Sequence, residues 1–61
     1  MTGKEVIAKL KAAGWILNHI HGSHHILTKH GQAVPVPAHG AHDIGAGLLA
    51  AIGRQTGVKL K

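Results

Sequence analysis

The sequence contains no cysteine, and its apolar side chains are nearly all Val, Ile, Leu and Ala, with a single Trp15 and no Phe or Tyr. A chain of 61 residues buries a smaller share of its surface than a larger domain does, so residues 1–61 are expected to form one domain with one thin aliphatic core. Disulfide staples are excluded, and such a core gives a net stability of about a few kcal/mol. Self-association or a dedicated partner is therefore expected to add to it. The missing cysteines fit a reducing compartment.

Local signals divide the chain into five segments. Thr2-Gly3-Lys4-Glu5 has the form of a capping box, a hydroxyl at the N-cap with a carboxylate three residues on. Val6, Ile7, Leu10 and Ala13 come next at helical spacing, and Gly14 stands where a left-handed cap belongs, so a helix is predicted over residues 3–13. Trp15 to His21 suits a pleated strand, Gly22-Ser23 a hairpin turn, and His24 to Lys29 a second strand. His30-Gly31-Gln32 punctuates the chain again. Ala33-Val34-Pro35-Val36-Pro37 can only be an edge strand, because each proline lacks a ladder donor. Ala38 to His42 reads as a loop. Ile44, Leu48, Leu49, Ile52 and Thr56 then return to helical spacing, with Gly57 as the cap and Val58 to Lys61 as a short basic tail. Gly45, Gly47 and Gly53 weaken this second helix and blur its start. The fold class is α+β: helix, three antiparallel strands, helix, with both helices on one face of the sheet and the other face open to bind.

Seven Lys and Arg against two acidic residues leave a formal charge of +5, which favours a polyanionic partner, nucleic acid before membrane. Lys4, Lys9, Lys11, Lys29 and Arg54 are the candidate nucleic-acid-binding residues; a basic domain with no such partner is the plainer reading. No segment has the roughly 18–20 apolar residues of a membrane span, and the first ten residues do not resemble a signal peptide. The expected location is the cytoplasm, with no membrane partner.

Seven histidines in so short a chain call for an explanation. If Gly22-Ser23 closes a two-residue turn, His21 faces His24 and His19 faces Ile26, which gathers three imidazoles at one end of one sheet face. Three roles compete for this cluster. His21-x-x-His24 and His39-x-x-His42 have the spacing of metal ligands, but no cysteine is present and Asp43 is the one nearby acid, so no metal site is assigned. Histidine is also amphipathic and suits strand edges, which accounts for His19, His21, His25, His30, His39 and His42 taken singly. The third role is acid–base chemistry, since only histidine exchanges a proton readily near neutral pH. Periodicity does not choose among the histidines.

The motifs Ala13-Gly14-Trp15, Gly22-Ser23-His24-His25, Val36-Pro37-x-His39, Asp43-Ile44, Gly47-x-Leu49 and Ile52-x-x-Gln55-x-Gly57 run along nearly the whole chain. In this order and spacing the sequence resembles the HicA family of bacterial toxins, mRNA interferases that HicB antitoxins neutralise. The resemblance implies a fold like that of a double-stranded-RNA-binding domain. It also implies a catalytic histidine directly after the Gly-Ser pair, which falls on His24, with Gly22, Ser23, His21 and His25 in supporting positions. The chain departs from the family pattern at His19, where many members carry arginine, and at Gly47-Leu48-Leu49, where many have Gly-Thr-Leu.

The activity that the resemblance implies is that of a metal-independent endoribonuclease that needs no cofactor, cuts mRNA and blocks translation, as toxins of the stress response do. His24 would be the general base that takes the 2′-hydroxyl proton, with the leaving-group acid open among His21, His25 and water. Its partners would be mRNA and a HicB-type antitoxin, with DNA contacted only through the antitoxin complex. Two alternatives stay open: a non-catalytic RNA-binding module of the same fold, and a small metal-binding protein.

Overall fold

A computed structural model describes residues 1–60, so Lys61, the end of the expected basic tail, lies outside the described residues. The elements run α1 (Gly3–Ala12), β1 (Ile16–His21), β2 (His24–Lys29), β3 (Gln32–Pro37) and α2 (Ala46–Thr56). The strands form one antiparallel sheet in the order β1-β2-β3. The order is the predicted one, and β3 with its two prolines is at an edge.

Hydrogen bonding at its ends sets the limits of α1. Thr2 Oγ1 accepts from the Glu5 N–H at 3.3 Å, and Glu5 Oε1 accepts from the Thr2 N–H at 2.9 Å, which completes the capping box. At the other end Gly14 adopts φ 99°, its N–H donates to the Lys11 carbonyl, and the Trp15 N–H donates to the Leu10 carbonyl. That pair of bonds is a Schellman motif, and it turns the chain sharply enough to bury Trp15 beside the helix it has just left. Lys29 Nζ donates to the Ala13 carbonyl at 2.7 Å and satisfies a further acceptor at this end.

Strand β1 poses a conflict that the chain resolves with one extra residue. Leu17, His19 and His21 have the same parity, so a regular strand would turn all three to one face. The pairing is Ile16 with Thr28 and Leu17 with Leu27, then His19 with Ile26, Ile20 with His25 and His21 with His24, so Asn18 is a β-bulge. The bulge lets Leu17 pack toward the core with Leu27 while His19 and His21 turn to the opposite face. It also brings Asn18 and His19 side by side, and His19 Nδ1 lies 2.8 Å from Asn18 Oδ1.

Both helices cover the face that carries Leu17, Leu27, Val34 and Val36. Val6, Ile7 and Leu10 of α1, Leu49 and Ile52 of α2, Trp15 and Ile44 join Leu27, Val34 and Val36 in one buried cluster. Leu60 belongs to it too and Val58 packs against it, so the segment read as a short basic tail folds back onto the core through its apolar residues. Helix α2 begins at Ala46, after Ile44, with Gly45 as N-cap and no side-chain cap, and ends at Gly57 in the left-handed region (φ 72°). The opposite face of the sheet carries no helix.

Deleting Asn18 should force Leu17 out of the core or His19 and His21 into it. Leu17 is half-buried, so its loss from the core costs about 1 kcal/mol, less than the figure for a fully buried leucine, and it should appear as a lower urea midpoint than that of Asn18→Ala, where the bulge is retained. The backbone and side-chain hydrogen bonds from Thr2 hold the Glu5 carboxyl below its ordinary value. Its contribution to stability is therefore full above the ordinary glutamate range and is lost as pH falls through the lowered folded value. Glu5→Ala should flatten that part of the stability–pH curve in denaturant titrations between neutral and acid pH.

Candidate active site

The β1–β2 hairpin turns on Gly22 and Ser23. Gly22 takes φ 63° and Ser23 does not have positive φ, as a type II′ turn requires of its two central residues. A residue with a Cβ at the first position would be strained even though nothing lies within 4 Å of it. The tight turn makes His21 and His24 the last pair of the ladder, directly opposite each other on the helix-free face. His19 and Ile26 are the next pair on that face. All three imidazoles are exposed. The predicted clustering of His19, His21 and His24 is therefore present, and the bulge at Asn18 is what lets Leu17 pack against the core below it.

A fourth histidine joins from the loop after β3. The Ala38 N–H donates to the Ser23 carbonyl at 2.8 Å, which ties the end of β3 to the hairpin turn. One residue later His39 Nε2 lies 3.1 Å from Ser23 Oγ. Helix α1 starts at the same end: a Cβ on Gly3 would collide with the Pro37 carbonyl oxygen and the Ala38 backbone, so only glycine allows this approach. From the sequence His39 is accounted for as a structural histidine. Spacing could not have linked it to Ser23, 16 residues away; the sequence singled His39 out only through the motif Val36-Pro37-x-His39 and the spacing His39-x-x-His42, and neither points to the serine.

Five expected members of the site stand elsewhere. His25 alternates to the covered face, opposite Ile20 and Val36, with its Nδ1 enclosed and unpaired. It therefore cannot share a phosphate with His24 as a neighbouring proton donor, because adjacent strand residues point to opposite faces. Lys29 belongs to the covered face as well, and its ammonium is occupied at the C-terminus of α1. Lys9 and Lys11 lie in the last turn of α1 and Arg54 in the last turn of α2, where the neighbouring Gln55 borders Gln32 and Val34. These four cations belong to the ends of α1, β2 and α2 that lie toward the far end of the sheet, about 20 Å from the hairpin turn for a six-residue strand. Lys4, in the first turn of α1, is the candidate on the same end as His24.

The cavities are shallow. One is lined by Gln32, Ala33, Val34 and Gln55 and another by Leu49, Ala50, Gly53, Lys59 and Leu60, and neither reaches the histidines. Among the described residues no group of three or more His, Cys, Asp or Glu side chains is arranged to hold a metal ion, and no helix is long and apolar enough to cross a membrane. The site is an open surface of imidazoles around a tight turn, with a hydroxyl and backbone amides beside them. Such a surface can bind a phosphodiester and move protons.

No curated protein and no solved structure matches the chain. The family described as "HicA toxin of bacterial toxin-antitoxin" matches residues 3–58, a span that includes every element from α1 to α2. The chain belongs to the HicA family, toxins of bacterial toxin–antitoxin systems.

Proposed function

We propose that this toxin is an endoribonuclease that cuts mRNA, with His24 as the general base. The observation that carries the reading is the exposure of His24 at the Gly22-Ser23 turn, on the helix-free face, beside His21. RNA carries its own nucleophile. A base that removes the 2′-hydroxyl proton lets that oxygen attack the adjacent phosphorus, with no water to activate. Neutral imidazole is suited to the task near pH 7, and general-base help is worth about 10²- to 10⁴-fold in rate. The turn supports this chemistry, since glycine lets a phosphate approach the backbone and Ser23 and the nearby amides can donate to its oxygens.

The open geometry is consistent with a slow enzyme of loose sequence preference, since the imidazoles stand on a surface and not in a cavity. It also fits a strand of mRNA in preference to a small nucleotide. A HicB-type antitoxin that covers the helix-free face would block access to His24 and would supply the stabilising partner that so thin a core calls for. The proposed setting is the cytoplasm, where mRNA and antitoxin are both present.

Purified native chain and His24→Ala should be compared on single-stranded RNA in the presence of EDTA. The expected result is cleavage by the native chain that persists in EDTA, and a loss of about 10²-fold or more in the variant. Equal cutting by a folded His24→Ala chain would refute the catalytic reading in favour of an RNA-binding module. Loss of native cutting in EDTA would point to a metal-dependent reaction instead.

A further inference from the structure

The reaction assigned to His24 leaves one proton unaccounted for. When the 2′-oxygen bonds to phosphorus, the bond from phosphorus to the 5′-oxygen breaks, and that oxygen leaves as an alkoxide unless it is protonated. His21 is the cross-strand neighbour of His24, but its ring has no hydrogen-bond partner to orient it among the bonds at this site. His25 is on the covered face. The hydroxyl of Ser23, directly before His24 in the chain, is held by another imidazole, with His39 Nε2 3.1 Å from Ser23 Oγ.

Building on the ribonuclease reading, we propose that Ser23 and His39 form the acid arm of the site, a relay that delivers a proton to the leaving 5′-oxygen. In the charged state of His39, Nε2–H donates to Ser23 Oγ and leaves the serine hydroxyl proton free to point at the substrate. As the phosphorus–oxygen bond breaks, Ser23 Oγ gives its proton to the 5′-oxygen and takes the Nε2 proton of His39. The balance closes with a 2′,3′-cyclic phosphate and a free 5′-hydroxyl as products, a protonated His24 and a neutral His39. Exchange with water returns both imidazoles to their starting states. Ser23 would touch the reacting atoms, whereas His39 acts through it and is a positioning and proton-supplying residue.

Three features favour this arrangement over a chance surface contact. The bond spans two segments that β-pairing brings together independently, since the Ala38 N–H already donates to the Ser23 carbonyl. Ser23 is a turn residue, outside the ladder that sends His24 and His25 to opposite faces, and His39 stands on the loop tied to that turn, so the acid arm is anchored next to the base. His39 is exposed and Ser23 is half-buried, so the relay has a fixed inner atom and an end that exchanges with solvent.

The decisive experiment changes the leaving group. An RNA segment that the native chain cuts is resynthesised with sulfur in place of the 5′-oxygen at the cut bond; a thiolate departs without help from an acid. On ordinary RNA, Ser23→Ala, His39→Ala and His39→Gln should each be slowed by about 10²-fold or more, and the glutamine variant tests whether a hydrogen bond to Ser23 is enough by itself. On the sulfur-substituted RNA all three should cut within a few-fold of the native chain, while His24→Ala should stay slow on both substrates. Near-native cutting of ordinary RNA by His39→Gln, or variants slow on both substrates, would show that His39 only holds the loop and would overturn the relay. Slow His39 variants beside a fully active Ser23→Ala would also overturn it. If His24→Ala alone is slow, the relay fails and the ribonuclease reading stands; if the native chain cuts no RNA, both fail.

Discussion

One extra residue in β1 decides whether this chain can have a core and an imidazole surface at once. Leu17 is needed below the sheet against Leu27, and His19 and His21 stand above it, yet all three have the same parity. A regular strand could satisfy one demand only. Removing Leu17 would be costly in a core with no aromatic residue but Trp15, while buried imidazoles would need partners that an aliphatic cluster lacks. The bulge at Asn18 separates the two requirements. Residues before it follow the needs of packing, and residues after it are free to follow those of the surface.

The end of the sheet beyond the bulge is also held by several segments of the chain. The Gly22-Ser23 turn, the Pro37–Ala38 exit of β3 and the start of α1 converge there, through the Ala38-to-Ser23 backbone bond and the close approach at Gly3. The Ile44 N–H adds a bond to the Met1 carbonyl, which joins the approach to α2 to the same end. A surface site gains no rigidity from an enclosing cavity, so its geometry has to come from the backbone beneath it. Here four segments supply that support at the end of the sheet where His24 stands.

Most of the fold was legible because the sequence states it in local signals. The capping box, the glycine at the end of α1, the two hairpin turns and the prolines of β3 each act within a few residues, and each stands where those signals put it. The pairing of His21 with His24 and of His19 with Ile26 was legible for the same reason, since a two-residue turn sets the register near it. The register further from the turn was not legible, because nothing local marks Asn18 as an insertion. Leu60 was missed because its burial depends on the distant core and not on any pattern in its own segment. The same limit hid the link between His39 and Ser23, a contact that exists only once β3 has returned beside β2.

The layout of charge separates two tasks that a basic sequence makes easy to merge. A net charge of +5 suggests cations grouped around the reactive histidines, but Lys9, Lys11, Lys29 and Arg54 stand at the far end of the sheet or behind it, and Lys29 is already occupied by the end of α1. What surrounds His24 is other imidazoles, with Lys4 the nearest of the basic candidates by its place in the fold. A fixed cation disfavours the charged form of any imidazole beside it. That would help keep a general base neutral, but it would strip the proton from a neighbour that must donate one. Imidazoles alone avoid this conflict, because each can be neutral or charged as the reaction requires. Keeping most of the permanent charge toward the other end of the sheet leaves attraction of the polyanion to the surface as a whole and proton transfer to the turn, so the two can be varied independently.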